Sequence, residues 1–154
     1  MKYNKMICFD MDGTIADLYG VPGWLEDLEA ERIRPFMEAK PMWDMDRLRD
    51  ILTKLSEQGW EIRIISWLSK NSSEQYKTAV RIAKRLWLNR YKLPLDAIHL
   101  VQYGTTKADC VRKITNAAIL VDDNQTVRDG WHLGETIDPM DGDLLEKLEK
   151  LLDK

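Results

Sequence analysis

The stretch Met6-Ile7-Cys8-Phe9-Asp10-Met11-Asp12-Gly13-Thr14-Ile15 decides how the rest of the chain is read. Ile7, Cys8 and Phe9 form a short apolar run of the kind found in strands buried on both faces. Asp10 and Asp12 follow at once, and two carboxylates one residue apart at the tip of a buried strand are costly unless a cation or a reaction uses them. Gly13 lets the backbone leave the strand through a conformation that other residues avoid. An ordinary Asp-Gly turn would use the same residues for purely local reasons, so the remaining elements decide between the two readings.

Outward from this strand, placed at residues 5–10, the chain alternates. Residues 15–42 carry Gly20, Pro22, Gly23, Pro35 and Pro41, which punctuate the segment into short pieces. One acidic helix over 24–33 is expected within it, and the whole reads as a small insertion over the carboxyl edge of the sheet. Its apolar load, Trp24, Phe36, Met37, Met42 and Trp43, is expected mainly to pack the insertion down, substrate stacking being the alternative. Leu48, Ile51, Leu52 and Leu55 fall at helical spacing over 45–58, and Gly59 stands where a C-cap belongs. Residues 61–66 read as the second strand, ending on the Ser66 hydroxyl. A long helix follows to Tyr91, capped from 71–73, with Val80, Ile82, Ala83, Leu86 and Trp87 among its apolar positions. Lys77, Arg81, Lys84, Arg85, Arg90 and Lys92 read as its solvated basic face, the alternative being a patch for a polyanion. Residues 97–101 and 118–121 are strands three and four, with a loop and short helix (104–114) between them. Residues 131–137 form a last short strand and 141–152 a closing amphipathic helix. Strands alternating with helices at these spacings predict an α/β fold, a doubly wound parallel sheet with right-handed crossovers in a single domain.

Composition agrees with a folded domain: 154 residues, 44% hydrophobic and 32% charged. A net charge of -3 argues against a globally basic nucleic-acid binder. Cys8 and Cys110, one in a strand and one in a helix, suit reduced core thiols and a cytoplasmic setting. No apolar run reaches the roughly 20 residues that span a bilayer, and no signal-peptide pattern opens the chain, so no membrane partner is expected.

Four clusters each follow a strand or open a helix: Asp10/Asp12, Ser66, Lys107 and Asp122/Asp123. In a parallel sheet the carboxyl ends of neighbouring strands converge, so these residues can share one site. Carboxylates around a lysine and a hydroxyl form an oxygen-rich cage suited to a hard cation such as Mg²⁺. No His/Cys set has zinc-ligand spacing, and His99 and His132 are isolated. A cation beside a lysine and a hydroxyl is what a phosphoryl group needs, a carboxylate can attack phosphorus, and a second acid can move the proton.

This arrangement resembles the haloacid dehalogenase-like (HAD) superfamily of phosphatases. Asp10-Met11-Asp12-Gly13-Thr14 matches its first motif, Ser66 its second, Lys107 its third, and Asp122 and Asp123 the acid pair of its fourth. The resemblance implies Asp10 as nucleophile and metal ligand, and Asp12 as general acid/base with its backbone carbonyl on the metal. It implies Ser66 and Lys107 as phosphoryl binders, with Lys113 the competing choice for the lysine. Thr14 and Trp67 join them as substrate-binding candidates. Asp123 is favoured as direct Mg²⁺ ligand, with Asp122 a ligand too or one layer further out. The family inserts a cap after the first motif, and here the candidate, about 17–43, is very short, which leaves the site open unless a neighbouring subunit covers it. The opening and closing motifs look like the deoxyribonucleotidase branch, so a nucleoside 5′-monophosphate is the first substrate expected. The second is a terminal phosphate on a larger molecule such as a nucleic-acid end. A phosphate-binding protein without turnover is the alternative from another class. A receiver-like reading is weaker, because residues 62–66 lack the acceptor aspartate that a middle strand should carry.

Overall fold

The computed structural model describes residues 5–153. Five parallel strands make the central sheet: β1 (Met6–Phe9), β4 (Glu61–Trp67), β5 (Ala97–Val101), β6 (Ile119–Val121) and β7 (Thr136–Ile137), in the order β5-β4-β1-β6-β7. The chain leaves from the middle strand outward in both directions, which is the doubly wound α/β topology expected. Two short strands, β2 (Ala16–Asp17) and β3 (Lys40–Pro41), pair antiparallel away from the main sheet.

Alternation along β1 explains the continuous apolar run. Ile7 and Phe9 join a core with Leu48, Leu52, Ile64, Trp87 and Leu148 on one face, while Met6 and Cys8 pack against Ile65, Val111, Leu120 and Trp131 on the other. The first of these layers is built by helices α3 (Met45–Glu57), α4 (Glu74–Tyr91) and α6 (Leu144–Glu149). Asp44 caps α3, accepting from the Asp46 and Arg47 amides, and Gly59 takes the left-handed conformation just past its end. Ser73 caps α4 through the Tyr76 amide, and Lys92 closes it in the left-handed region before Pro94.

Several element bounds differ from the sequence reading. The expected acidic helix over 24–33 stops early, as α1 (Trp24–Glu29), and a second helix α2 (Arg34–Glu38) starts with Pro35 in its first turn. Asp27 is the reason: it is buried and accepts from Arg32 and Arg34, so the chain folds back on itself there. The last strand shrinks to two residues because Trp131 is drawn into the core, its Nε1 donating to the Ala118 carbonyl. A short helix not anticipated from the sequence, α5 (Gln125–Asp129), follows Asn124, whose side chain accepts from the Val127 amide. The segment 16–41 is closed at its base by the β2/β3 ladder, and Leu18 and Phe36 seat it on Leu68, Tyr76, Val80 and Ala83. Cys8 and Cys110 are free thiols, and burial pushes the Cys8 thiol up to about 12. Among the described residues no helix is long and apolar enough to cross a membrane.

Candidate active site

Register brings the acids together. Phe9 of β1 lies beside Val121 of β6, and the Asp10 amide continues the ladder by donating to the Val121 carbonyl. Asp10 and Asp122 therefore leave adjacent strand ends side by side. On the other flank Phe9 lies beside Ile64, so β4 runs further and carries Ser66 and Trp67 to the same edge. Gly13 makes the turn after β1 at φ +82°, and a Cβ there would sit 2.5 Å from Asp123 Oδ2. Only glycine both accepts that conformation and lets the Asp123 carboxylate approach the turn so closely.

Lys107, at the start of a 3-10 turn after β5, is buried between two acids, with Nζ 2.9 Å from Asp10 Oδ1 and 2.7 Å from Asp122 Oδ2. Burial opposes its charge, but the two carboxylates outweigh that and hold its pKa above the ordinary value. Lys113, the competing choice, is exposed. Carboxylate oxygens of Asp10, Asp122 and Asp123 all lie within 4.8 Å of one another. Both Asp122 oxygens accept, one from Lys107 and one from the Asn124 amide, whereas Asp123 is partly exposed to the cavity. Burial, contact with Asp10 and the charges of Asp10 and Asp122 push the Asp123 carboxyl up to about 7, and burial likewise raises Asp122. Three oxygen donors crowded to the point that one resists ionisation are a donor set suited to a hard divalent cation.

Asp12 stands apart from this cluster. Its Oδ2 accepts from Lys84 Nζ at 2.9 Å, and the same ammonium donates to Ser66 Oγ at 2.8 Å and the Trp67 carbonyl at 2.8 Å. Burial raises the Asp12 pKa, with Lys84 opposing the rise. The helical pattern places Lys84 on a solvated basic face, yet it is fully buried, while Ile82 and Leu86, expected as apolar packing positions, are 56% and 52% exposed. The signal is present in the spacing, because Tyr76, Val80, Lys84 and Leu88 form one i, i+4 row of buried residues.

Thr14 is placed differently from a substrate contact. It is fully buried; its hydroxyl lies 3.1 Å from Asp10 Oδ2 and accepts from the Asp123 amide at 3.2 Å, tying the first motif to the fourth. Trp67 does line the site, its ring over Lys107 and its Nε1 donating to the Thr105 carbonyl. His99 hydrogen-bonds with Arg63 on β4 instead, and His132 is exposed.

Asp10, Asp12, Ser66, Lys107, Asp122 and Asp123 form the floor of an open cavity of about 400 Å³. Its rim is aromatic: Tyr19 and Trp24 from the insertion meet edge to face, and Trp67 and Tyr103 pair from the core, each with ring centroids 4.9 Å apart. Lys70 lies 5.5 Å above the Tyr103 ring.

One consequence can be measured without substrate. A carboxyl whose folded pKa is raised gives stability that is full below its unfolded pKa, near 4, and is lost as pH rises through about 7. Asp123→Asn, which cannot titrate, should therefore gain thermal stability relative to the unsubstituted protein as pH rises from about 4 to about 7. A divalent cation held by this cluster would favour its ionised form, so any melting temperature that Mg²⁺ adds should grow over the same interval and shrink in Asp123→Asn. Melting curves with Mg²⁺ and with chelator across about pH 5–8 check both.

No family model matches the chain, and no curated protein matches it in sequence. Its fold is similar to that of D,D-heptose 1,7-bisphosphate phosphatase from Burkholderia thailandensis, with a TM-score of 0.56, 14% identity, and coverage of 97% of this chain and 99% of that one. A candidate HAD-like phosphatase from Mesorhizobium loti matches with a TM-score of 0.56 and 12% identity, over 99% of this chain and 89% of that one. At these identities the likeness establishes a shared α/β fold and nothing beyond it.

Proposed function

We propose that the protein is a Mg²⁺-dependent phosphomonoester hydrolase working through an aspartyl-phosphate on Asp10. The observation that carries this reading is the division of four carboxylates, three gathered with Lys107 and one, Asp12, held separately by Lys84. The fold it shares with a heptose bisphosphate phosphatase supports the same reaction class. Asp10, Asp123 and the Asp12 carbonyl would hold the cation, with Asp122 beside them; when bound, the cation neutralises charge on the phosphoryl oxygens.

The Asp10 carboxylate attacks phosphorus, and the bond to the leaving oxygen breaks as Asp12 gives that oxygen a proton. Burial raises the Asp12 pKa, a shift in the direction that favours the protonated form this step uses. Asp12 then takes a proton from water, which attacks phosphorus, releases phosphate and restores Asp10. Lys107 and the Ser66 hydroxyl face the phosphoryl oxygens throughout.

The aromatic rim and the volume of the cavity favour a small ester carrying a flat ring, a nucleoside 5′-monophosphate first. The open mouth with Lys70 beside Tyr103 favours the second reading, a terminal phosphate on a nucleic-acid strand. Phosphate release from nucleoside monophosphates, sugar phosphates and 5′- or 3′-phosphorylated oligonucleotides, with Mg²⁺ or chelator, tests the proposal. Turnover should require Mg²⁺, and Trp24→Ala should raise KM for the nucleotide by about tenfold while leaving a sugar phosphate within about twofold. A folded protein that retains phosphate without turnover would point to the binding role instead.

A further inference from the structure

The Lys84 ammonium is enclosed by the fold with all of its donors used. The residue is 0% exposed on the inward row of α4, and the Phe36 ring of the insertion covers it from 5.4 Å. An ammonium has three N–H groups and no acceptor. Asp12 Oδ2, Ser66 Oγ and the Trp67 carbonyl take one each. No donor remains for a substrate, which separates Lys84 from Lys107.

Two consequences follow for its partners. Ser66 Oγ must accept from Lys84, so the Ser66 hydroxyl hydrogen is left to be donated into the cavity that Ser66 lines. The Asp12 carboxylate is held at Lys84, and it is not part of the group in which Asp10, Asp122 and Asp123 approach within 4.8 Å. With no cation opposite it, a fourth carboxylate at this strand edge would compete for the cluster's metal.

We propose that Lys84 is a positioning residue that withholds the Asp12 carboxylate from the cation cluster for proton transfer and turns the Ser66 hydroxyl toward the phosphoryl group. This role rests on the phosphatase reading above. It acts on the step in which the leaving oxygen needs a proton, so its loss should depend on the leaving group.

The test compares kcat/KM, which reports phosphoryl transfer to Asp10, for p-nitrophenyl phosphate and for an alkyl ester such as glycerol phosphate. The first leaving group departs without a proton and the second does not. Lys84→Met should lose on the order of 100-fold or more on the alkyl ester and about tenfold or less on the aryl ester. Asp12→Asn should show the same split, and the double variant should be no worse than the more impaired single one. Lys84→Gln, which keeps two donors, should recover part of the alkyl-ester rate, and melting curves on each variant separate folding loss from chemistry. Equal losses on both esters, or additive losses in the double variant, would overturn the role while leaving the phosphatase reading intact. Cleavage of neither ester, nor of any substrate in the panel, by the unsubstituted protein would overturn both.

Discussion

Asp10→Asn is expected to lower phosphate release by at least about 10⁴-fold, because the proposed mechanism makes the Asp10 carboxylate the attacking group. The substitution is nearly isosteric. The amide oxygen it introduces can still accept from Lys107, and Thr14 still links the turn to the Asp123 amide. It also removes one of three carboxylates crowded within 4.8 Å, so the melting temperature should be unchanged or higher. A stable but inactive variant is therefore the result the proposed mechanism requires, since Asp10 serves in it as both nucleophile and cation ligand. Residual turnover within about tenfold of the unsubstituted protein would move the attack to water and end the covalent mechanism.

The second large effect is expected at Lys107. Lys107→Met fills much the same volume but leaves Asp10 and Asp122 buried without the cation they share. Removing one partner of a buried ion pair costs roughly 3–5 kcal/mol. In a chain of 154 residues that corresponds to a fall in melting temperature on the order of 10 °C in the absence of Mg²⁺. Protonation of Asp122, whose pKa burial already raises, relieves the loss as pH falls, so the deficit should be larger at about pH 8 than at about pH 5. On the proposed mechanism, in which Lys107 faces the phosphoryl oxygens, losing its charge should also cut kcat/KM by about 10²–10³-fold. Melting curves at two pH values and one kinetic series decide it, and a variant as stable as the parent at both would show that the acids do not need Lys107.

Much of the fold is legible in the sequence because local and global signals agree. The strand Ile7-Cys8-Phe9, the α3 row at Leu48, Ile51, Leu52 and Leu55, and the caps at Ser73 and Gly59 each use residues suited to their places. The acids at strand ends are legible for a related reason: a carboxylate at the tip of a buried strand has few structural uses. The helix α5 escapes such a reading although Asn124 is a good capping residue, because Asp122-Asp123-Asn124 carries a chemical signal that hides the helix start within it.

By itself, the sequence determined the doubly wound sheet, the order of its strands' chemistry and the candidate residues Asp10, Asp12, Ser66, Lys107, Asp122 and Asp123. Only the tertiary structure decided that α4 turns Lys84 inward and Ile82 and Leu86 outward. Sequence rules rank a lysine below isoleucine and leucine for burial, because they price each side chain against an apolar interior. Here three acceptors, on Asp12, Ser66 and Trp67, wait where the ammonium lands, and the distant residues that supply them meet α4 only in the folded chain. The same holds for the aromatic rim, whose Tyr19–Trp24 and Trp67–Tyr103 pairs come from segments that only the closed sheet edge brings to one cavity.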